Sequence, residues 1–165
     1  MVQAGCPHSR DPHALEAGTG GPAPASVYRL LTNGAVRQRN RQGCISDEFV
    51  SRDSNVFGTL SMANKSTPDS GGSQFFVNVR DNTFLDWWDR GTESNHPVFG
   101  RIIEGIDQVV AISRVATKND NPIEPIKIES ISIDGSPDWA EGMPRDELYL
   151  TPIWLRTHPN AAAQQ

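Results

Sequence analysis

The sequence predicts a mainly β protein with one or two helices. Three observations support this: short runs rich in β-branched and aromatic residues, clusters of turn residues between them, and one segment with helical periodicity. The chain has 165 residues and 36% of them are hydrophobic, which suffices for one domain with its own core. We expect that domain at residues 1–134, followed by an extension of different composition at 135–165.

The first elements predicted are a loop and a hairpin. Residues 5–25 are rich in Gly, Pro and Ala, which is typical of a loop. Residues 26–32 and 35–38 have strand character, and Asn33-Gly34 between them supplies the positive φ angles of a tight hairpin turn. We therefore expect a β-hairpin that projects from the domain.

Three further strands and one helix follow. The strands are predicted at 57–64, 73–79 and 97–103, and the helix at 104–115. Glu104 and Asp107 favour the N-terminal end of that helix. Its apolar face, which we expect to pack in the core, consists of Ile106, Val109, Val110 and Ser113.

A closing strand is predicted at 126–133, where four isoleucines occur in eight residues. Beyond it the extension at 135–165 contains repeated prolines that exclude a long helix, together with Trp139, Tyr149 and Trp154. A disordered tail is usually poorer in tryptophan, so we expect this extension to pack on the domain or dock onto a protein partner.

The charge and cysteine content exclude several classes of function. Fifteen basic and twenty acidic residues give a net charge of −5, which argues against nucleic acid as a partner. The basic run at 37–41 is interpreted as a solvated loop. Cys6 and Cys44 have neither a disulfide framework nor zinc spacing, so no metal site is predicted and a reducing compartment is favoured.

The sequence has no stretch of apolar residues long enough to span a bilayer, and its first residues lack the pattern of a secretory signal. It therefore predicts no membrane insertion and favours a cytoplasmic location, unless a targeting segment precedes Met1.

The most informative part of the chain is the pair of segments at 58–64 and 70–76, joined by the turn cluster at 65–69. The first segment reads as a short strand, and the second begins with small residues and enters another strand. Together they place backbone amides, a glutamine and a phenylalanine at the rim of one loop. Such a rim suits binding an extended peptide by its main chain while an apolar pocket accepts one side chain.

With Phe84-Leu-Asp86 and His96-Pro-Val-Phe-Gly100 downstream, this run resembles the cyclophilin-type peptidyl-prolyl cis-trans isomerases. The resemblance covers residues 1 to about 134 and implies an antiparallel β-barrel. It also implies an enzyme that assists protein folding by rotating X-Pro bonds. Proline-containing peptides are then the expected partners. If the apolar pocket for the proline ring is intact, we also expect it to bind cyclosporin-like ligands.

Rotation about an X-Pro bond must overcome a barrier of roughly 18–20 kcal/mol, because amide resonance is broken on the way. The catalyst has only to bind the twisted state better than either planar state, so no nucleophile, metal or cofactor is required. It needs an apolar socket for the proline ring, main-chain anchors and a hydrogen-bond donor near the prolyl nitrogen.

The resemblance assigns these roles to particular residues. Gln3 and His96 correspond to the catalytic glutamine, which holds the substrate backbone, and to the histidine at the rim. Substrate-binding positions are matched by the socket and wall residues Met1, Phe76, Phe84 and Leu85, by Ala63 and Asn64 along the peptide, and by the supporting amide of Gln74. The glycine loop at 18–21 resembles the border of a neighbouring subsite.

The chain departs from the family pattern at its start. The catalytic arginine of the family lies in a Phe-His-Arg segment ahead of the motif matched by Met1-Val-Gln3, so the sequence as given predicts an N-terminally truncated, incomplete barrel. Losing one transition-state donor typically costs about 10²–10³ in rate, so we expect little activity from this stretch alone. The alternative is a catalytically impaired module that binds proline peptides or serves as a structural subunit.

Overall fold

The computed structural model describes residues 1–11, 13–30, 34–89, 91, 93 and 95–131. The predicted extension at 135–165 and the last two residues of the predicted closing strand lie outside the described residues. The elements are β1 (Val2–Ala4), a 3-10 helix (Pro7–Arg10), β2 (Val27–Arg29), β3 (Val36–Gln38), β4 (Thr59–Met62), β5 (Phe75–Val77), a 3-10 helix (Thr83–Leu85), β6 (Val98–Arg101), α1 (Ile106–Ile112), β7 (Thr117–Lys118) and β8 (Asn121–Pro122).

The largest sheet of the described chain has four antiparallel strands in the order β1-β5-β4-β6. Phe76 in β5 lies opposite Gln3 in β1 and opposite Ser61 in β4. Directly opposed residues point to the same face of a sheet, so these three side chains share one face. The mainly β prediction is confirmed, and the three central strands occur within the predicted segments but are shorter.

The predicted pairing of the hairpin strands is also confirmed, while residues 31–33, which include Asn33 of the predicted turn, lie outside the described residues. Strands β2 and β3 pair antiparallel, with Tyr28 opposite Arg37, and Gly34 at the turn has a φ of 68°. Two further short strands, β7 and β8, form a second hairpin in which Asn119 and Asp120 adopt positive φ angles. Asn and Asp tolerate this left-handed conformation better than most residues, which explains a turn that the sequence analysis did not single out.

Helix α1 is confirmed in place but is shorter than predicted and less buried. It begins after Gly105, whose φ of 76° is left-handed, and Asp107 lies in its first turn. The predicted apolar face at 106, 109, 110 and 113 is half-buried, while Asp107, Gln108 and Ala111 are exposed. The expectation that this face packs in the core is therefore wrong for the described structure, since no residue of α1 is buried.

The predicted closing strand is wrong over the residues that the structure describes. Residues 123–131 form no strand, and Ile126, Ile128 and Ile131 are 45%, 54% and 45% exposed. A strand exists only where its backbone pairs with a neighbour, and residues 126–131 make no backbone hydrogen bond to another segment of the described chain. The isoleucine pattern identified β propensity but could not supply a partner.

The interpretation of the basic run as solvated is wrong for Arg39, which is only 3% exposed. Its guanidinium donates to the carbonyls of Gly43 and Gly72, each at 3.4 Å, and lies 5.0 Å from the ring centroid of Tyr28. Charge-assisted hydrogen bonds and stacking on an aromatic ring suit a buried arginine. Arg39 therefore ties the hairpin to the loops that carry Gly43 and Gly72.

Candidate functional site

Strand β5 separates two environments. Phe76 is 2% exposed and lies on the face shared with Gln3, while Phe75 lies on the opposite face and contacts Phe99 edge-on at 6.2 Å between ring centroids. This alternation follows from the two-residue period of a strand. The two adjacent phenylalanines therefore have different neighbours, although the sequence does not distinguish them.

A chain of amide hydrogen bonds runs along the edge of this face. The Nε2 of Gln3 donates to Oε1 of Gln74 at 2.7 Å. The Nε2 of Gln74 donates in turn to the carbonyls of Gly18 and Gly20, at 3.0 and 2.7 Å. Gln74 thereby fixes the glycine loop to the sheet, while the remaining polar atoms of the exposed Gln3 side chain are available to a ligand.

An open groove of about 520 Å³ lies beside these amides. Its volume falls in the range that holds a small ligand or a few residues of a peptide. Among the side chains on its wall, Lys65 carries a positive charge and Cys44 is a buried thiol. The other lining residues are Gln3, Gly18, Thr19, Gly20, Gly21, Pro22, Gln42, Gly43, Ala63, Asn64, Ser70, Gly72, Ser73 and Gln74.

His96 lies against Phe76. The two rings meet edge-on with their centroids 5.4 Å apart. The Nδ1 of His96 is 2.9 Å from the carbonyl oxygen of Met62, and because a carbonyl only accepts, Nδ1 carries the proton. In the neutral ring Nε2 then keeps its lone pair and acts as a hydrogen-bond acceptor.

The structure places the remaining predicted site residues as follows. Met1 is 55% exposed immediately before β1, and Phe84 is 50% exposed in the second 3-10 helix. Leu85 is 7% exposed, and its carbonyl accepts from the backbone nitrogen of His96 at 3.1 Å. The backbone nitrogen of Ala63 donates to the carbonyl of Gln74 at 3.0 Å, which keeps Ala63 on the groove wall.

Asn64 has a structural role besides lining the groove. Its Nδ2 donates to the carbonyl of Asn95, and its Oδ1 accepts from the backbone nitrogen of Ser66. Residues 65–69 form the predicted turn, in which Ser66 and Asp69 adopt positive φ angles. Asn64 therefore connects this turn to the segment that carries His96.

A cluster of buried polar residues behind His96 was missed by the sequence analysis. Asn55, Ser61 and Asn78 are 0% exposed. Asn82 and Asp86 are 2% and 4% exposed. We call these five residues the polar cluster. Ser61 lies within β4, Asn78 follows β5, and Asn82 and Asp86 flank the second 3-10 helix, and Asn, Asp and Ser are ordinarily interpreted as turn residues in a sequence.

Two groups near the groove have shifted pKa values. Burial acts to raise the pKa of the Cys6 thiol, but hydrogen bonds from the backbone of Gly20, His8, Gly18 and Ser9 outweigh it, so that this pKa is lowered. The backbone nitrogen of Gly20 lies 3.3 Å from the Cys6 sulfur. Burial alone raises the pKa of Glu48, which lines a small cavity together with Met62, Asn64 and Pro97.

In the described part of the chain, no group of three or more His, Cys, Asp or Glu side chains is arranged to hold a metal ion. None of the helices described has both the length and the apolar character that crossing a bilayer requires.

Residues 1–133 match the protein family described as cyclophilin type peptidyl-prolyl cis-trans isomerase/CLD. Among similar curated proteins is a peptidyl-prolyl cis-trans isomerase of Acinetobacter baylyi, 42% identical over 103 residues. That alignment covers 59% of this chain and 54% of the relative.

Two other similar proteins come from further bacteria. Peptidyl-prolyl cis-trans isomerase A of Dickeya dadantii is 43% identical over 84 residues, which are 48% of this chain and 43% of the relative. Peptidyl-prolyl cis-trans isomerase B of Escherichia coli is 34% identical over 104 residues, which are 59% and 63% of the two proteins. The chain thus spans about half the length of the curated relatives that it matches.

Proposed function

This chain belongs to the cyclophilin-type peptidyl-prolyl cis-trans isomerase family, and from that membership we propose that its groove binds proline-containing peptides and accelerates the rotation of their X-Pro bonds. The observation that carries the proposal is the convergence of Gln3, Phe76 and His96. Gln3 and Phe76 are opposed in neighbouring strands, and the ring of His96 meets the ring of Phe76.

The three side chains supply the components that bond rotation needs. The half-buried ring of His96, supported edge-on by the buried ring of Phe76, provides an apolar surface against which a proline ring can turn. Gln3, anchored through Gln74, presents amide atoms that hold the main chain next to the proline. Gln3 would hold the peptide main chain on one side of the X-Pro bond while the proline ring turns on the other side. This arrangement favours the twisted state of the bond, which is the differential binding that catalysis requires.

The groove provides the remaining contacts. Ala63 and Asn64 continue β4 along its wall, and an extended peptide beside them would gain hydrogen bonds to the main chain. The neighbouring volume between the glycine loop and residues 42–44 is suited to a side chain preceding the proline. The substrate-binding roles of Met1, Phe84 and Leu85 are part of the same proposal.

A comparison of two adjacent substitutions tests it. Phe76→Leu removes the aromatic ring that lies on the face shared with Gln3 and contacts His96, whereas Phe75→Leu makes the same change on the opposite face of β5. Exchange NMR on a short Ala-Pro peptide measures both binding and cis–trans interconversion. The wild-type protein is expected to bind the peptide and to produce only weak exchange between the cis and trans signals, because the chain as given lacks the segment with the family's catalytic arginine. Phe76→Leu, which removes the ring that supports His96, is expected to weaken peptide binding roughly tenfold.

Phe75→Leu is the control and is expected to bind the peptide as the wild type does, because the ring that it removes contacts Phe99 on the other face of the sheet. Equal peptide affinity of the two variants would refute the assignment of the site to the Phe76 face. Binding without accelerated exchange would instead identify the chain as a proline-peptide-binding module. An Ala-Ala peptide of the same length, bound equally well, would contradict specificity for proline.

Three narrower proposals accompany this function. Cyclosporin-like ligands are expected to compete with the Ala-Pro peptide for the groove. A cytoplasmic location is supported by Cys6 and Cys44, which are both free thiols, and a fluorescent fusion tests it. Residues 135–165, with their tryptophans, are proposed to dock onto a protein partner. Unchanged partner recovery in a pull-down after deletion of that segment would contradict the last proposal.

A further inference from the structure

The segment at residues 95–97, which carries His96, is fixed by hydrogen bonds from several elements. The backbone nitrogen of His96 donates to the carbonyl of Leu85 at 3.1 Å. The backbone nitrogen of Met62 donates to the carbonyl of Pro97 at 3.1 Å, and the Nδ1 of His96 returns a bond to the carbonyl of Met62. Both the backbone and the imidazole of His96 are therefore held.

The remaining backbone atom of His96 is bound by the polar cluster. The Nδ2 of Asn55 donates to the carbonyl of His96 at 3.0 Å. Asn55 is fully buried, and its side-chain oxygen accepts from Ser61 at 2.6 Å and from Asn78 at 3.3 Å. The orientation of the Asn55 amide is thus determined, because its oxygen must face these donors and its nitrogen must face His96.

Asp86 holds Asn55 in turn. One carboxylate oxygen of Asp86 accepts from the backbone nitrogen of Asn55 at 2.7 Å and from its Nδ2 at 2.8 Å. The other oxygen accepts from the hydroxyl of Ser54. Bonds to a carboxylate are roughly twice as strong as bonds between neutral groups, and Asp86 is 4% exposed, so water competes little for them.

Asp86 also adjoins Leu85, whose carbonyl binds His96. Asp86 is therefore connected to both polar atoms of the His96 backbone. The nitrogen of His96 binds Leu85, which precedes Asp86 in the chain, and the carbonyl of His96 binds Asn55, which Asp86 holds. The amide of Asn55 is fully buried and bonds to both the Asp86 carboxylate and the His96 carbonyl. Closing a loop would not by itself require this arrangement.

We propose that Asn55 and Asp86 are positioning residues that hold the His96 imidazole in the Nδ1–H tautomer, edge-on to Phe76, with Nε2 directed at the bound peptide. The proposal rests on the proposed function for the role of His96 towards the peptide. The control of its tautomer and orientation is a property of the peptide-free protein and can be measured separately.

The first experiment uses the protein without peptide. Two-bond ¹⁵N–¹H spectra of the imidazole distinguish a protonated ring nitrogen from one that carries a lone pair. In the wild type, His96 is expected to show the Nδ1–H form as its main neutral tautomer. Asn55→Ala removes the bond to the His96 carbonyl and is expected to produce a mixture of the two tautomers.

Asp86→Asn keeps the side-chain volume and one acceptor oxygen but removes the charge, so an intermediate mixture is expected. Because this change is nearly isosteric, it supplies the measurement if Asn55→Ala does not fold. Asn40→Ala is the matched control, since the Asn40 side chain also makes three hydrogen bonds to backbone groups, but in the loop at residues 40–44 and to Asp69. It is expected to leave the His96 spectrum unchanged.

The second experiment measures the affinity of the Ala-Pro peptide. Asn55→Ala is expected to weaken it about two- to tenfold, the range that the net value of one hydrogen bond covers, and Asp86→Asn by less. Asp11→Asn is the control, because the Asp11 carboxylate also accepts from a backbone nitrogen, that of His13 at 2.9 Å, but bonds to no residue of the polar cluster in the described chain.

The two experiments separate the proposals. A folded Asp86→Asn or Asn55→Ala protein with the wild-type His96 tautomer would overturn the positioning role, whatever the peptide does. Wild-type protein that shows the Nδ1–H tautomer but binds no Ala-Pro peptide would overturn the proposed function and leave the positioning of His96 supported. A shift of the tautomer in Asn40→Ala as large as in Asn55→Ala would also contradict a specific role for the polar cluster.

Discussion

The side-chain oxygen of Gln74 accepts a 2.7 Å hydrogen bond from the side-chain nitrogen of Gln3. This bond orients Gln74 so that its own nitrogen faces the carbonyls of Gly18 and Gly20. One side chain thus joins the strand that carries Gln3 to the loop on the other side of the groove. Apart from the contact between Gly20 and the Cys6 sulfur, these are the side-chain bonds that fix the glycine loop beside the sheet in the described chain.

The first prediction concerns the direction of these bonds. Gln74→Glu preserves the size of the side chain but replaces the donor nitrogen with an oxygen, which faces the two glycine carbonyls unfavourably. We expect a loss of about 1–3 kcal/mol in the free energy of unfolding, and faster amide hydrogen exchange at Gly18 to Gly21. Denaturant unfolding and exchange NMR measure the two effects.

The control for this prediction is Gln108→Glu. Gln108 lies on the exposed side of α1. The substitution adds the same negative charge as Gln74→Glu, but at a residue that does not line the groove. Surface changes of this kind usually stay within about 0.5 kcal/mol. Glycine-loop exchange that is the same in Gln74→Glu as in the wild type would show that Gln74 does not hold the loop.

The second prediction concerns the centre of the polar cluster. The Nδ2 of Asn78 donates to Thr59 at 3.0 Å and to Ser61 at 3.3 Å, and its oxygen accepts from Asn82 at 2.7 Å. Asn78→Ala leaves these buried partners without their bonds, so we expect a loss of about 2–4 kcal/mol in the free energy of unfolding. Thermal or denaturant unfolding measures it.

Asn121→Ala is the comparison, because Asn121 lies exposed in β8. We expect it to change the free energy of unfolding by less than about 0.5 kcal/mol. If Asn78→Ala were as stable as Asn121→Ala, the bonds of Asn78 would contribute nothing net, and the polar cluster would not stabilise the site.

The strands of the site could be predicted from the sequence, because β propensity and turn residues are local properties. The aromatic and β-branched runs around Thr59–Met62 and Phe75–Val77 identify these strands with no knowledge of the fold. The failure at 126–131 has the same origin, since propensity does not say whether a neighbouring strand is present. Helix α1 was placed correctly for a local reason, while its burial depends on what packs against it.

The site divides in the same way. Gln3, Gln74, Phe76 and His96 were predicted as site residues from the motifs, and the strand register, one hydrogen bond and one ring contact connect them, while their roles towards a peptide stay predictions. No role was predicted for Asn55, nor for Asp86 within the motif at 84–86, because the bond between them joins residues 31 positions apart and depends on burial. The burial of Arg39 was missed for the same reason, since its partner Gly72 is 33 residues away.

The third prediction concerns a close approach of two loops that line the groove. Gly43 has a φ of 77°, and a Cβ atom added there would overlap the carbonyl oxygen of Pro22. Gly18 has a similar φ of 88° but open space around the position of its Cβ. Gly18→Ala should therefore lower the free energy of unfolding by about 1–2 kcal/mol, which is the cost of placing a side chain on a left-handed backbone. Gly43→Ala should lower it clearly more, because its Cβ atom also meets Pro22.

Parallel unfolding curves of the two variants measure the difference. Because both glycines have a left-handed backbone, the comparison isolates the contact with Pro22. Gly43→Ala is also expected to widen the groove, which weaker binding of the Ala-Pro peptide would report. Equal stability of the two variants would show that residues 22 and 43 are not in close contact.

The fourth prediction concerns the pH dependence of stability. Burial raises the pKa of Glu48 in the folded protein, whereas the unfolded chain has a value near the ordinary one, about 4.3. Below the unfolded pKa the carboxyl group is protonated in both states and has no electrostatic cost. As the pH rises through the folded pKa, the unfolded chain ionises more readily, so stability is lost.

Glu48→Gln removes this titration. The variant is therefore expected to match or exceed the wild type in stability at neutral pH, with an advantage that shrinks as the pH falls towards about 4. Urea unfolding at several pH values measures the advantage, and Glu129→Gln at an exposed position supplies the background to subtract. An advantage that grew as the pH fell would mean that the Glu48 carboxylate is stabilised where it lies, and that burial beside Met62 and Pro97 does not govern its ionisation.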